Sequence, residues 1–384
     1  MSRPSHRSSS RSFRRGAALA CVFAGVLATG AATGSWPEAA DADVAEPAAD
    51  ARAAGRADGA ADGEAGEAGE LVSRRGGDRW ATAYSAEEYA EVRRHLAGEY
   101  VGTGIAVVRT AEGRIEVSEV HEDSPAERAG VRPGDRIRTI DGVRVSGGAV
   151  TDVVGRLRGS DRPAAAGPGS TVRIGLERDG RHWTVEVERA RLTDRAVTVS
   201  RDAPGATRIR VSSFTQGAAD QLRAAMAEVP EGDGVLLDLR GNAGGLLTEA
   251  AEAASVFLDG GLVATYDVHG RQHALYADQG GDTGTPLVVL VDGGTMSSAE
   301  MVTGALQDRG RAVVVGSRTF GKGTVQMPSE QPDGSVAELT VGHYATPLGR
   351  TVDEDGIVPD LVVAPGEDAQ ARARTVLGGL AGGE

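Results

Sequence analysis

The stretch GVLLDLRGNAGGLLTEAAEAASVF, residues 234–257, points to the fold of the larger of two globular regions in this chain. Residues 234–240 form a short apolar run, broken by Asp238, that reads as a buried strand. GNAGG at 241–245 turns the chain, and an Ala-rich helix follows over 246–257. Working outward, the alternation continues on both sides. TRIRVSSF at 207–214 is a strand, residues 215–228 a helix, and residues 262–277 a hairpin. PLVVLVD at 286–292, a helix over 297–309, AVVVG at 312–316 and strands around 323–341 complete the series. Strands and helices in alternation predict an α/β core, over residues 191–365.

Residues 100–190 have another texture, with short alternating strands between turn signals. YVGTGIAVV (100–108) and RIEVSEV (114–120) are strand-like, and Ser124–Ala129 is a short helix closed by Gly130. RPGDRIRTIDGVRV (132–145) reads as turn, strand, Asp-Gly turn and strand, and residues 149–158 as a helix. STVRIGLERDGRHWTVEVER (170–189) is a hairpin about Asp179-Gly180. The expected class is therefore a mixed α/β multidomain chain with a β-rich domain before the α/β core. An N-terminal helical segment at 71–99 precedes both, opened by Ser85-Ala86-Glu87-Glu88 as cap and early acids. Ser160–Gly169 reads as a looped insertion, and residues 366–384 as a weak tail.

The start of the chain predicts export. Five arginines and no acid fall within residues 1–15, ahead of the uncharged apolar stretch 16–35. This is a basic region followed by an apolar one, so residues 1–42 are a signal peptide or an uncleaved membrane anchor. Residues 43–70 carry eight acids against two arginines and almost no large apolar side chain, which predicts a disordered acidic linker. The expected location is extracytoplasmic, secreted or anchored with membrane association through the N-terminal segment.

Composition excludes several functions. A net charge of −14 argues against nucleic acid as a partner, and 4% aromatic residues against base-stacking platforms. One cysteine excludes an intramolecular disulfide framework, a zinc ribbon and an iron–sulfur cluster. His269 and His273 would share a face only on a helix, and their region reads as a hairpin around Gly270, so no metal ligand set is assigned. Asp308 falls on the predicted helix 297–309, but His343 lies in a strand-like run with no predicted link to it or to the serine at the helix start, so no Ser–His–Asp triad is assigned.

The basic residues hold an oddity: of 41 Lys and Arg, one is lysine, Lys322. Arg stays protonated in proteins, whereas a desolvated Lys gives up its proton and becomes a base. Lys322 sits between glycines, after AVVVG, in the apolar surroundings that such burial needs. Alone, it also reads as a surface loop residue.

Two regions carry a family resemblance. Gly102-Thr103-Gly104-Ile105, Ser124-Pro125-Ala126 with Ala129-Gly130-Val131, Pro133-Gly134-Asp135 and Ile140-Asp141-Gly142 make residues 100–190 resemble a PDZ domain. That likeness implies a peptide added as an edge strand, its terminal carboxylate held by backbone N–H groups of Gly102, Thr103, Gly104 and Ile105. RIRVSSF (208–214), LDLRGNAGGLL (237–247), VDGGTMSSAE (291–300), GALQDRGRAVVVGSRTFGKGTVQ (304–326) and ATPLGRTVDEDGIVPDLVV (345–363) resemble the carboxy-terminal processing, or tail-specific, serine proteases. The resemblance implies a serine endopeptidase acting on proteins with exposed C-terminal tails, without a cofactor. It places the nucleophile at Ser297, the base at Lys322 and an assisting Gln at Gln326. Because a straight strand of four residues spans roughly 13 Å, a bend at Gly321 or Gly323 brings Lys322 and Gln326 together, or Gln326 acts less directly.

GNAGG offers N–H groups beside a helix N-terminus, so Gly244 or Gly245 is paired with Ser298 as the oxyanion donors. Ser297-Ser298-Ala299-Glu300 is equally a capping box, by which Ser297 would merely start a helix. The nucleophile block usually runs Ser-Ala-Ser-Ala-Ser-Glu in the family; Thr295-Met296-Ser297-Ser298-Ala299-Glu300 replaces it here. Ser298 beside Ser297 leaves a one-residue ambiguity. The departure at Met296 gives room to a second class, a degenerate PDZ scaffold or holdase that binds C-terminal peptides without cleaving them.

Overall fold

The computed structural model describes residues 66–110, 112–145, 150–159 and 167–381. The expected signal or anchor at 1–42, the acidic linker up to residue 65 and most of Ser160–Gly169 lie outside them. In the α/β core, Gly234–Asp238 and Leu287–Val291 are buried at every position, as strands covered on both faces must be. The sheet runs Val197–Ala203, Ala206–Val211, Gly234–Asp238, Leu287–Val291, Val313–Gly316, Leu361–Val362. It is parallel from Ala206–Val211 onward, and Val197–Ala203 turns back antiparallel at one edge.

Alternate residues of these strands face two apolar layers. Leu237 and Val289 join Leu222, Leu247, Val302 and Leu306 of the helices Ala218–Ala227, Leu247–Ser255 and Ser298–Asp308. Leu236, Val288 and Leu290 face the other way, onto Ala373 and Leu377 of the helix Ala369–Ala381. The stretch after Pro365 is therefore no weak tail. Ala373 and Leu377 are four residues apart, so they share one helix face and close the second layer.

A second sheet carries part of the site. Val336–Ala345 is flanked by Thr324–Glu330 along one edge and by Thr82–Tyr84 and Leu262–Val268 on the other. Leu262–Val268 continues into Arg271–Tyr276 through His269-Gly270, a hairpin as expected. The helix Gly66–Arg74 docks on this sheet, with Ala68 buried against Ala337 and Leu339. Residues 66–70 thus belong to the folded body and not to a disordered linker. Leu71 and Val72, just beyond the acidic tract, supply the apolar contacts that hold them there.

The β-rich domain is a sheet in the order Ile105–Arg109, Ile115–Val120, Arg136–Ile140, Thr171–Arg178, Arg181–Glu188. Val172, Ile174 and Leu176 point inward at every second position and pack with Ile137, Ile140 and the helix residues Val153 and Leu157. Ile105–Arg109 is an edge strand, paired on one side alone among the described residues.

Candidate active site

Two loops meet at the C-terminal ends of neighbouring parallel strands, where open α/β sheets place their sites. One is GNAGG, after Gly234–Asp238; the other runs from Asp292 to Ser297, after Leu287–Val291. Thr295 Oγ1 donates to the Leu239 carbonyl (2.9 Å) and accepts the Asp292 N–H (3.0 Å). Met296 N–H donates to the Asn242 carbonyl (2.9 Å), and Asn242 Nδ2 to the Val211 carbonyl (3.0 Å). These bonds fasten the loops to each other and to the sheet.

So tied, Ser297 adopts φ 57°, ψ −127°. A residue with a Cβ pays about 1–3 kcal/mol for such backbone, and the surrounding bonds hold it in place. Its N–H donates to Glu300 Oε2 (2.9 Å), and its carbonyl accepts the N–H groups of Glu300 (2.8 Å) and Met301 (3.1 Å). The backbone of Ser297 and the Glu300 carboxylate thus start the helix Ser298–Asp308.

Glu300 does more than cap. Wholly buried, its Oε2 also accepts the Lys322 N–H (2.9 Å), while Oε1 accepts the Gly321 N–H (2.8 Å) and the Thr319 hydroxyl (2.5 Å). Burial pushes this carboxyl up, and the four donors favour its ionised form against that. Tyr344 forms a second bridge, its hydroxyl lying 2.9 Å from the Ser297 carbonyl and 3.1 Å from that of Lys322. Burial holds this phenol far above its ordinary value, so it stays a donor.

Lys322 is fully buried in the loop before strand Thr324–Glu330, not within a straight strand. Gly323 makes its approach possible, since a Cβ there would lie 2.9 Å from the Asp353 nitrogen. Burial lowers the Lys322 amine to about 8, against the opposing pull of Glu338, Asp78 and Glu300. Glu338, wholly buried on Val336–Ala345, is pushed by burial up to about 7, with Lys322 drawing it down. Neither carboxylate oxygen of Glu338 has a hydrogen-bond partner among the described residues.

Lys322 and Gln326 meet at a third residue. Lys322 Nζ lies 5.2 Å from the centroid of the Trp80 ring, and Gln326 Nε2 donates to the Trp80 carbonyl. A register shift between Val325 and Gln326 bends the strand at that point.

At GNAGG, Gly244 N–H already donates to Asn242 Oδ1 (2.8 Å), so it is not the free oxyanion donor that the sequence allowed. Gly245 and Ser298 keep N–H groups without an acceptor among the described residues. The turn abuts the serine: a Cβ on Gly244 would stand 3.0 Å from Ser297 Cβ. Ser298 Oγ is turned to the Gly245 carbonyl (3.4 Å). His343 pairs with Asp353, and Asp308 with Arg350 and the Leu348 N–H, so neither joins Ser297. His273 stacks on Tyr266 (centroids 5.1 Å) in the hairpin.

In the β-rich domain, the Gly102–Ile105 loop leads directly into the free edge strand. Gly104 has φ 83°, and a Cβ there would meet Ser124 Cβ at 2.3 Å. The N–H groups of Thr103 and Gly104 have no acceptor among the described residues.

Sequence reasoning passed over Trp80, Tyr344 and Thr319, and saw Glu300 only as a cap. S-x-x-E was the one available signal for Glu300.

Peptidase family S41 matches residues 206–363, and a PDZ domain matches residues 116–164. The carboxyl-terminal-processing protease of Picosynechococcus sp. is 34% identical over 295 residues, 74% of this chain and 70% of that protein. Its namesake from Synechocystis sp. is 34% identical over 283 residues, 72% of this chain; the chain spans 66% of that relative's length. A solved putative S41 protease from Bacteroides fragilis shares the fold, with TM-score 0.53 and 17% identity over 87% of this chain and 93% of that one.

Proposed function

The chain belongs to peptidase family S41 and carries a PDZ domain, and from that premise we propose that it is a serine endopeptidase that processes proteins from their C-terminal tails. The observation that carries this reading is the shared Glu300 oxygen, on which both Ser297 and the buried Lys322 are hung. A serine hydroxyl needs a neighbouring base, and a lysine serves as one only when neutral. In this reading Ser297 Oγ attacks the scissile carbonyl and its proton passes to the Lys322 amine. The oxyanion lies against the N–H groups of Gly245 and Ser298. The C–N bond then breaks as the Lys322 ammonium returns the proton to the leaving amine. Water opens the Ser297 ester by the same route, losing its proton to Lys322 and restoring the serine. Gln326 orients the ammonium through its amide oxygen.

The PDZ domain supplies the substrate. A tail with a free carboxylate lies along the edge strand Ile105–Arg109, its terminus at the Gly102–Ile105 loop. Residues 1–42 export the chain, so that the peptidase works outside the cytoplasm.

The purified protein should cleave an unstructured chain with a free apolar C-terminus, and not its C-terminal amide. Ser297→Ala should abolish cleavage while retaining tail binding. Saturable tail binding with no cleavage by the intact protein would instead support the scaffold. N-terminal sequencing of the mature protein tests the export signal.

A further inference from the structure

Trp80 lies outside both the S41 match at 206–363 and the PDZ match at 116–164, yet it touches two of the three residues assigned to catalysis. Its carbonyl accepts from Gln326 Nε2, and its indole lies over Lys322 Nζ at 5.2 Å. A backbone carbonyl only accepts, so it selects the NH₂ end of the Gln326 amide. The oxygen, Oε1, is left as the free end, buried and without a partner among the described residues. That is the end an ammonium needs.

The segment holding Trp80 is pinned on both sides. Upstream, Glu67 N–H donates to Asp333 Oδ2 (2.8 Å), and Ala68 N–H to Ser335 Oγ (3.0 Å). Asp78 accepts both the N–H and the hydroxyl of Thr340, each at 2.8 Å, and the Trp80 N–H at 3.1 Å. Downstream, Thr82–Tyr84 pairs with Val336–Ala345. The indole also leans on the Phe320 ring, centroids 5.7 Å apart. Trp80 is thus held against the Lys322 loop by contacts that do not involve Lys322.

We propose that Trp80 is a positioning residue of the catalytic centre: its carbonyl sets the Gln326 amide, and its indole keeps water from the Lys322 amine while offering a π face to the ammonium formed during acylation. The inference rests on Lys322 being the general base. The charged groups that act on this amine come from three other elements: Glu338 of Val336–Ala345, Glu300 of Ser298–Asp308, and Asp78 of the same segment as Trp80. Removing the indole leaves all three in place. Two effects then oppose each other. Lost cation–π attraction lowers the amine's pKa, and admitted water raises it. The indole belongs to the burial that is the largest influence on Lys322, so admitted water is expected to outweigh the lost attraction.

Lys322 is the chain's one lysine, which allows a readout independent of turnover. The full-length protein is labelled with an amine-acylating reagent across pH, and modification of the Lys322 peptide is followed by mass spectrometry beside the pH profile of kcat/KM. Trp80→Ala should move the labelling midpoint up by about half a unit or more and carry the ascending limb of kcat/KM with it. Trp80→Phe, which keeps an aromatic cover, should stay near wild type. If Trp80→Ala does not fold, Trp80→Leu should show the same sign. A labelling midpoint that stays or falls overturns the inference and leaves Lys322 as base untouched. A midpoint that rises while the kcat/KM limb stands still removes Lys322 as the base, and the catalytic role of Trp80 with it. A kcat/KM raised at every pH would make the segment an inhibitory cover and likewise overturns the proposal.

Discussion

The N–H groups of Ser297 and Lys322 donate to the same oxygen, Oε2 of Glu300, each at 2.9 Å. Twenty-five residues apart in sequence, the two are fixed to one buried atom, so the Ser297 loop and the Lys322 loop cannot drift independently. Tyr344 repeats the link through their carbonyls.

Glu300→Gln keeps the shape but replaces one acceptor oxygen by an NH₂ group, leaving buried donors facing a donor. It should cost about 2–4 kcal/mol in stability. Displacement of the two loops should lower kcat by about 10²-fold. Denaturant unfolding and steady-state kinetics separate the two effects. Retention of full kcat would show that Glu300 only caps the helix.

Ser297 sits at φ 57°, ψ −127°, which glycine adopts without strain. Ser297→Gly and Ser297→Ala should both lose turnover, and the glycine variant should be the more stable by about 1 kcal/mol. Equal melting temperatures would mean that the site stores no strain there.

Gly245 has φ 147°, and a Cβ on it would stand 2.4 Å from the Phe214 carbonyl oxygen. Gly245→Ala should therefore destabilise the core by about 2 kcal/mol or more. It should also cut kcat by about 10²–10³-fold as the N–H leaves the oxyanion. A variant that melts lower but turns over normally would remove Gly245 from the chemistry.

The pH dependence follows from Lys322 and Glu338. If Lys322 acts as a neutral amine, as proposed, kcat/KM should rise with pH through about 8 and level off above it. Glu338→Gln removes a negative charge that favours the ammonium, which lowers Lys322 and moves the ascending limb to lower pH by about 1 unit. Stability carries the same signature. Between about 8 and about 10.4 the unfolded chain holds a proton that folded Lys322 lacks, so stability rises with pH across that window. Lys322→Met should abolish that rise, which melting temperature against pH will show.

What the sequence made legible, it did through local pattern. The run 234–257 read as strand, turn and helix because its apolar residues, glycines and alanines agree. Lys322 stood out because no other lysine competes with it, although the family likeness supplied its role. Glu300 read as a cap because that half of its work is local, three residues from Ser297. Its other half depends on Thr319, Gly321 and Lys322, which arrive on the loop between Val313–Gly316 and Thr324–Glu330. Helix Ala369–Ala381 was hidden because it buries only Ala373 and Leu377 amid alanines and glycines, too few large residues for a visible stripe. Trp80 lies 242 residues before Lys322, and no periodicity connects them. The choice between Gly244 and Gly245 turned on Asn242, whose side chain takes one N–H and leaves the other.

Whether Lys322 works by losing a proton is tested by Lys322→Arg. The variant keeps the charge on a somewhat longer side chain but cannot become neutral. With an unstructured polypeptide ending in a free apolar tail, Lys322→Arg should turn over no faster than Ser297→Ala, while tail binding persists. Cleavage by Lys322→Arg within a few-fold of wild type would contradict the account.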